Sequence, residues 1–329
     1  MAVLVLTGTS CVSTIKFKDT QRETISPEAL EYYRRHKAVR LPALGITETI
    51  ASVIAMYDSH QHKPEVEQYQ AEHGIKVDRT TIASVPVAVI YPPDPAPDVP
   101  VLGLYIHGGG FLAGEAVDYF VMHMARLLGI PIISVDYTLS PKAKYPIAVD
   151  QSFRVYEELM DTRGGKKVVV FGVSAGGNLV LTTLLKASAK GISLPDAAVL
   201  CTPWTDLTGS GDAYISNDGR DIIAWKNSIE KTVPVYIEDK EKLTSPFVSP
   251  VYAVYPDNFP PCIITTGTRD LLLSDAVRLQ GVFNNAGITS RLIVAEGMWH
   301  GFNTAPGIPE GDMCNREIAE FLRLFVFDN

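Results

Sequence analysis

The sequence predicts an α/β protein with a mostly parallel central sheet flanked by helices. From residue 101 to the C terminus, short runs rich in valine and isoleucine alternate with longer segments of helical periodicity. This alternation is typical of parallel strands joined by crossover helices. With 46% hydrophobic and 20% charged residues among 329, the chain can also bury a substantial core.

The individual elements follow from the local pattern. Strands are predicted at residues 75–82, 85–91, 101–106, 131–136, 167–173, 197–201, 262–266 and 291–295. Helices between and after them are predicted at residues 118–128, 147–160, 175–189, 274–285 and 312–325. A proline-rich turn at 91–100 separates the first two strands from the alternating region.

Two regions fall outside this alternation. A helical pattern covers residues 26–70, where Ser26 and Pro27 match an N-cap and a first-turn proline, and a second helix is predicted at 46–59. These helices either form part of a lid or brace the edge of the sheet. Residues 204–261 lack strand periodicity and exceed an ordinary connection. We interpret them as a cap over an active site, against the alternative of a solvent-side excursion without a role.

Charge and cysteine usage exclude several classes of function. A net charge of −8 and a pI near 5.4 argue against nucleic acid or an anionic membrane as the main partner. The four cysteines are far apart and form no C-x-x-C pair, so we expect neither a disulfide framework nor a metal site. The apolar N terminus is short and has no basic region or cleavage site, which predicts a cytoplasmic protein.

The candidate nucleophile is Ser174, in the G-x-S-x-G sequence formed with Gly172 and Gly176. This motif stands between a predicted strand and a predicted helix, the context of a nucleophile elbow. The glycines lack Cβ atoms where a strained turn crowds strand against helix, so the hydroxyl can stand clear. Free N–H groups at the helix N terminus would also favour a developing negative charge. The alternative is a glycine-rich turn with an incidental serine.

A nucleophilic serine needs a base and a group that orients the base. His300 is the only histidine after Ser174, and it lies in a loop just past the last predicted strand. Asp270 follows the strand at 262–266, from which a carboxylate can reach a histidine at the end of the neighbouring strand. The rival carboxylates are Asp275, in the opening turn of the next helix, and Glu296. We favour Asp270 on this placement.

The sequence His107-Gly-Gly-Gly directly follows the strand at 101–106. Successive glycines let backbone N–H groups approach a ligand that side chains would obstruct. We therefore predict that the N–H groups of Gly108, Gly109 and Ala175 form an oxyanion hole, and that His107 holds the loop. A phosphate-binding loop is the competing interpretation, but no Lys-Ser/Thr follows and no G-x-G-x-x-G is present.

These motifs together resemble the hormone-sensitive-lipase family of α/β-hydrolases. The resemblance covers residue 75 to the C terminus. It is carried by HGGGF at 107–111, GVSAGG at 172–177, Asp270, His300, DYTLSP at 136–141 and the aromatic-proline pair at 145–146. It implies a carboxylic-ester hydrolase that uses no cofactor, on an α/β-hydrolase fold with a helical cap. Dimerisation through the last strand or helix is implied by the family alone.

The resemblance fits a division of the chain into two parts. Residues 71–203 and 262–329 would form the catalytic domain, and residues 1–70 and 204–261 the cap. Three positions depart from the family pattern, namely Thr138, Lys142 and Val173, where the family commonly has Arg, Glu and Asp or Thr. The losses at 138 and 173 suggest that a polar support beneath the elbow is absent.

The substrate is less well defined than the chemistry. Apolar side chains that flank the motifs are candidates for an acyl or alcohol pocket, namely Phe111, Leu112, Trp204, Met298 and Trp299. A capped apolar site favours small to medium acyl esters. A lactone or a secondary-metabolite ester is also compatible with the same triad. A different class, a non-catalytic ligand-binding protein on the hydrolase scaffold, is disfavoured because the histidine is retained.

Overall fold

The computed structural model describes residues 16–36, 63–94, 99–223 and 226–327. Within these ranges the chain forms one eight-stranded sheet. Its strands are β1 (Lys76–Ile82), β2 (Val85–Tyr91), β3 (Val101–Ile106), β4 (Ile132–Val135), β5 (Lys167–Val173), β6 (Ala197–Cys201), β7 (Cys262–Gly267) and β8 (Ser290–Ala295). Every predicted strand is present, with bounds within one residue of the prediction.

The strands lie in the order β1-β2-β4-β3-β5-β6-β7-β8. Neighbours from β4 through β8 are all parallel, whereas β2 runs antiparallel to both β1 and β4. The mostly parallel sheet is therefore confirmed. The carboxyl ends of β5 to β8 meet at one edge, where open α/β sheets bind their ligands.

The helices that connect the strands confirm the predicted alternation. In chain order they are α1 (Asp19–Arg22), α2 (Pro27–Arg35), α3 (Lys63–Glu72), α4 (Tyr119–Leu128), α5 (Ile147–Thr162), α6 (Ala175–Ala189), α7 (Ala213–Ser216), α8 (Lys226–Tyr236), α9 (Leu273–Asn285) and α10 (Pro309–Leu322). The last helix begins earlier than predicted because Pro309 occupies its first turn. Among the described residues, no helix is both long and apolar enough to cross a membrane.

Both faces of the sheet are covered. In β5, Val168 and Val170 face a core formed with helices α5, α6 and α9, whereas Val169 and Phe171 face a second core formed with α4 and α10. All residues of β5 after the first are buried, as expected of a central strand with helices on each side. This packing holds the carboxyl end of β5 rigidly at the sheet edge.

The N-terminal helix α2 packs against the end of the sheet. The Ser26 side chain accepts the N–H of Ala29 at 3.1 Å, as predicted for an N-cap, and its hydroxyl donates to Glu310 at 2.8 Å. The Tyr33 hydroxyl donates to the carbonyl of Gly297, just past β8, at 2.7 Å. Helix α2 and its N-cap are thus hydrogen-bonded to the first turn of α10 and to the loop after β8, contacts that fit both a lid and a brace. The predicted helix at 46–59 lies outside the described residues.

The segment between β6 and β7 carries helices α7 and α8 and is hydrogen-bonded to the edge where the carboxyl ends of β5 to β8 meet. The Asn178 amide on α6 donates to the carbonyls of Trp204 and Val248, each at 2.9 Å. Tyr236, at the end of α8, stacks on Phe111 with ring centroids 3.8 Å apart and an interplanar angle of 6°. The segment therefore contacts the residue that follows the glycine loop.

Candidate active site

Ser174 lies in a strained turn between β5 and α6. Its backbone angles are φ 55° and ψ −120°, in a region that non-glycine residues rarely adopt. A Cβ at Gly176 would lie 2.0 Å from the carbonyl oxygen of Ile106, so only glycine fits there. The Ser174 N–H donates to the carbonyl of Cys201 at 2.8 Å, which fixes the turn to β6. This local structure is a nucleophile elbow.

The glycine loop after β3 is packed against this elbow. A Cβ added at Gly108 would lie 3.2 Å from the Ser174 Cβ, so the two backbones are in close contact. Gly109 has φ 97°, and a Cβ there would lie 2.1 Å from the carbonyl oxygen of Ala113. The loop is closed by N–H groups of Leu112 and Ala113, which both donate to the Gly109 carbonyl. Close approach and backbone conformation both require glycine at 109, whereas a Cβ at 108 would force its neighbours to move by a few tenths of an ångström.

Three N–H groups in this corner are available to a ligand. In the part of the chain that the structure describes, the N–H groups of Gly108, Gly109 and Ala175 donate no hydrogen bond. Ala175 is the first residue of α6, where a helix leaves its N–H groups without intrahelical partners. These are the groups that the sequence predicts as an oxyanion hole.

His107 shapes the glycine loop. Its Nδ1–H donates to the carbonyl of Gly108 at 2.9 Å, and its ring stacks on Tyr137 with centroids 4.2 Å apart. The Tyr137 hydroxyl bonds the carbonyls of His107 and Gly108 at 3.1 and 3.2 Å. Burial lowers the pKa of His107 to about 4, which keeps the ring neutral. The side chain therefore ties the loop to the segment after β4.

The structure brings His300 and Asp270 into direct contact. The Nδ1 atom of His300 lies 2.9 Å from the Asp270 Oδ1 atom, and the Asp270 carboxylate is completely buried. That carboxylate also accepts the Thr266 hydroxyl at 2.7 Å and the N–H of Leu272 at 2.8 Å. Because the carboxylate accepts from Nδ1–H, the neutral imidazole is held in the tautomer with a free lone pair on Nε2.

The rival carboxylates contact other parts of the molecule. Asp275 accepts the N–H groups of Thr205 and Asp206 at 2.8 and 2.9 Å. Glu296 is exposed and accepts the side-chain amide of Gln21. Of the three acidic residues considered from the sequence, Asp270 is the one hydrogen-bonded to the imidazole.

The loop that carries His300 runs back across the sheet edge toward the elbow. Near its start, the Met298 carbonyl accepts the N–H of Arg269 at 3.0 Å, at the end of β7. Further along, the Asn303 amide lies 3.3 Å from the sulfur of Cys201, the last residue of β6. The carbonyl of Cys201 in turn accepts the N–H of Ser174. The loop thus spans from β7 to the strand next to the nucleophile.

The electrostatic surroundings of His300 favour its protonated form. Burial acts to lower the pKa of His300, but the charge and hydrogen bond of Asp270 and the charges of Asp221 and Asp275 outweigh burial and raise it. A histidine that gains a proton in the transition state is stabilised by such carboxylates. The side chain is only 9% exposed, so water screens these interactions weakly.

One residue of this cluster was missed by the sequence analysis. Asp221, from the segment between β6 and β7, is completely buried and accepts the N–H of His300 at 3.1 Å and that of Leu271 at 2.6 Å. No motif or periodicity marks it, because its partners lie far away along the chain. The only local signal is an acidic residue directly before the apolar sequence Ile-Ile-Ala-Trp.

The predicted pocket residues separate into two groups. Phe111 contacts two aromatic rings of the insertion, with centroid distances of 3.8 Å to Tyr236 and 5.6 Å to Trp204. Leu112 belongs to the same core, on the side of the insertion. Trp299 instead stacks on Tyr32 of α2 with centroids 4.5 Å apart, and Met298 belongs to that opposite core too. Trp299 thus packs against α2, and Met298 is buried in the same core.

The family departures have structural counterparts. Thr138 and Gln151 of α5 form a reciprocal pair, in which the Thr138 N–H donates to Oε1 at 2.7 Å and Nε2 donates to the Thr138 hydroxyl at 2.9 Å. Val173 is buried in the second core. Lys142 is exposed. An uncharged pair therefore occupies the place where the family has an arginine.

Comparison with known proteins agrees with this architecture. Residues 103–304 match the α/β-hydrolase-fold family. An esterase of Acinetobacter venetianus is 28% identical over 222 residues, which are 66% of this chain and 73% of that protein. The crystal structure of EstE5 soaked with p-nitrophenyl butyrate superposes with a TM-score of 0.78 at 25% identity, over 92% of this chain and 99% of that one. A bacterial esterase of the hormone-sensitive-lipase family gives a TM-score of 0.72 at 27% identity, over 87% and 100% of the two chains.

The sheet, the elbow and the helices around them define an α/β-hydrolase, and the chain belongs to that family. Within it, the chain is a carboxylesterase-type hydrolase of the hormone-sensitive-lipase group. The resemblance stated from the motifs is confirmed.

Proposed function

We propose that this chain hydrolyses carboxylic esters of small to medium acyl chains through an acyl-enzyme formed on Ser174. The observation that carries the proposal is the 2.9 Å contact between His300 and Asp270 at the sheet edge that also carries the strained serine. A nucleophile, a base and an orienting acid are the three parts that serine acyl transfer needs.

In the proposed reaction, the Ser174 hydroxyl attacks the ester carbonyl while Nε2 of His300 takes its proton. The tetrahedral intermediate collapses, the C–O bond to the alcohol breaks, and His300 returns the proton to the departing oxygen. Water, activated by the same imidazole, then attacks the acyl-enzyme and releases the acid. Asp270 stays ionised and fixes the imidazole tautomer throughout.

The N–H groups of Gly108, Gly109 and Ala175 are the proposed oxyanion donors. These N–H groups have no hydrogen-bond partner among the described residues, which supports this role. A donor that is already free and in place needs no reorganisation free energy during the reaction. Loss of one such donor typically costs about 3–4 kcal/mol of transition-state stabilisation.

The proposed substrate class follows from the surface beside the glycine loop. Trp204, the first residue of the insertion, donates its N–H to the Ser174 carbonyl at 3.0 Å and contacts Phe111, on which Tyr236 of the same insertion stacks. We assign this insertion and the N-terminal residues to a cap that restricts the acyl group to small or medium size. The similar esterase soaked with p-nitrophenyl butyrate makes that ester a suitable first probe.

The test compares p-nitrophenyl acetate, butyrate, octanoate and palmitate on the wild type and on Ser174→Ala. We expect the highest kcat/KM on a short or medium ester, and a loss of about 10⁶-fold in kcat for the variant. Ser188→Ala, at the other end of α6, is the matched control and should retain full activity. Undiminished hydrolysis by Ser174→Ala would refute the nucleophile, and a preference for palmitate would refute the proposed chain length.

A further inference from the structure

A buried carboxylate from the insertion contacts the loops that carry both His300 and Asp270. Asp221 Oδ1 accepts the N–H of His300, and Oδ2 accepts the N–H of Leu271, the residue next to Asp270. We propose that Asp221 is a positioning residue for ester hydrolysis. It fixes the backbone of His300 relative to Asp270, and its charge stabilises the imidazolium that forms when His300 takes the serine proton. This inference rests on the proposed function.

The carboxylate is held in place by its own turn. Oδ1 also accepts the N–H groups of Ile222 at 2.6 Å and Ile223 at 3.4 Å. Ile222 is buried in the second core, which anchors the turn. Four N–H groups therefore point at one carboxylate, and an ionised carboxylate, which only accepts hydrogen bonds, satisfies all four. No other side chain of the size of aspartate has two acceptor oxygens, one for the N–H of His300 and one for the N–H of Leu271.

The contact connects three segments that are distant in sequence. Asp221 belongs to the insertion after β6, Leu271 to the loop after β7, and His300 to the loop after β8. The neighbouring Asn217 adds a parallel connection, since its amide donates to the carbonyls of Asp270 at 2.8 Å and Thr268 at 3.2 Å. The insertion is thus hydrogen-bonded directly to the backbone of both proposed triad partners, so its position and theirs are coupled.

The charges around this cluster determine the expected pH effect. Burial, aided by the charge of Asp270, raises the pKa of Asp221 to about 6, while His300 and the N–H donors oppose that rise. The carboxylates that act on His300 are Asp270, Asp221 and Asp275. Tyr33 from α2, with Arg220 and Arg269, shares the same surroundings. Removal of one carboxylate lowers the pKa of His300, because an opposite charge that favoured the imidazolium is lost.

Asp221→Asn is the variant that separates charge from size. Asparagine replaces one oxygen with an NH₂ group, which must face an N–H donor on whichever side it turns. We expect kcat with p-nitrophenyl butyrate to fall about tenfold or more with KM little changed, because the acyl-transfer geometry is disturbed and the binding surface is not. The acid limb of the kcat/KM profile should move to lower pH by about one unit.

The matched control is Asp206→Asn. Asp206 is a buried carboxylate of the same insertion, but it pairs with Arg278 and does not contact His300. The acid limb of the kcat/KM profile of Asp206→Asn should coincide with that of the wild type, even if the melting temperature of the variant falls. Rates are normalised to active sites titrated with an organophosphonate, so that only folded enzyme is compared. Should Asp221→Asn not fold, Asp221→Ser carries the same test with a smaller side chain.

The outcomes are separable from those of the proposed function. Activity in Ser174→Ala would overturn the nucleophile and with it this inference. If Ser174→Ala is inactive and Asp221→Asn keeps the wild-type acid limb, the triad stands and the role of Asp221 is overturned. A shifted acid limb in Asp221→Asn together with an unshifted one in Asp206→Asn supports the inference.

Discussion

Two aspartates from the same stretch of chain, Asp270 and Asp275, are both completely buried at the catalytic edge but have different partners. Asp270 contacts an imidazole, which in the proposed reaction changes charge. Asp275 accepts two backbone N–H groups of the insertion and the hydroxyl of Tyr214 at 3.2 Å, none of which changes charge. Burial and residue type are therefore shared, and the partner alone separates the proposed catalytic role of Asp270 from the structural contacts of Asp275.

Of the substitutions that follow from this comparison, Asp270→Asn should have the largest effect on catalytic efficiency. The amide would no longer hold the productive imidazole tautomer, and we expect kcat/KM for p-nitrophenyl butyrate to fall by roughly 10⁴-fold. The measurement is steady-state kinetics normalised to serine sites labelled by an organophosphonate. A drop of less than tenfold would mean that another group orients His300.

Asp275→Ala is expected to affect stability rather than chemistry. Two N–H groups and a hydroxyl all donate to Asp275 Oδ2, and alanine leaves them without this acceptor. The free energy of unfolding should therefore fall by about 2–4 kcal/mol, while kcat/KM per active site changes little. Urea unfolding monitored by tryptophan fluorescence measures the first quantity and ester hydrolysis the second. A loss of activity as large as that of Asp270→Asn would remove the distinction between the two sites.

The difference in stability between wild type and the Asp275 variant should also depend on pH, and the sign of this dependence follows from the pKa of Asp275. Burial raises the pKa of Asp275 well above its ordinary value. A carboxyl whose folded-state pKa is raised contributes most stability when protonated, and this contribution declines as the pH rises from about 4, the unfolded value, through the folded one. The difference in free energy of unfolding between wild type and Asp275→Ala should therefore narrow as pH rises. A gap that widens with pH would contradict the assignment.

The smallest expected effect concerns the hydrogen bond that the Thr266 hydroxyl donates to the Asp270 carboxylate. Thr266→Val removes the hydroxyl that donates to Asp270 Oδ2 and keeps the shape of the side chain. We expect kcat/KM to fall by about tenfold, the equivalent of one hydrogen bond to a charged group. Thr183→Val on α6 is the control, since the Thr183 hydroxyl has no partner among the described residues. Equal effects of the two changes would show that threonine volume, and not the hydrogen bond, matters.

Local pattern was sufficient for the elements that the site depends on. Strand β5 and helix α6 follow from a β-branched run, a glycine-serine-glycine turn and an apolar helix, all within one stretch of sequence. Chain order then restricted the base to His300, because no other histidine follows the serine. The choice of Asp270 over Asp275 needed only the rule that strand ends meet at one edge.

The direction of side chains in loops could not be predicted from local sequence pattern or chain order. Met298 and Trp299 adjoin the histidine motif, and their position predicts a substrate pocket, whereas the structure buries both in the second core, with Trp299 stacked on Tyr32 of α2. A loop residue has no periodicity from which its direction could be read, so adjacency to a motif does not predict which surface it faces. Phe111 and Trp204 pack against each other on the side of the insertion, and contact of either with the substrate stays a prediction.

The sequence by itself determined the fold class, the elbow and the identity of three side chains suited to serine chemistry, because these depend on short-range sterics and on the order of strands. Only the tertiary structure gave the 2.9 Å contact between Asp270 and His300, and only it revealed Asp221 between the two loops. The physical reason is that hydrogen bonds between distant loops leave no periodic trace in the chain. They exist only once the sheet has brought the loops together.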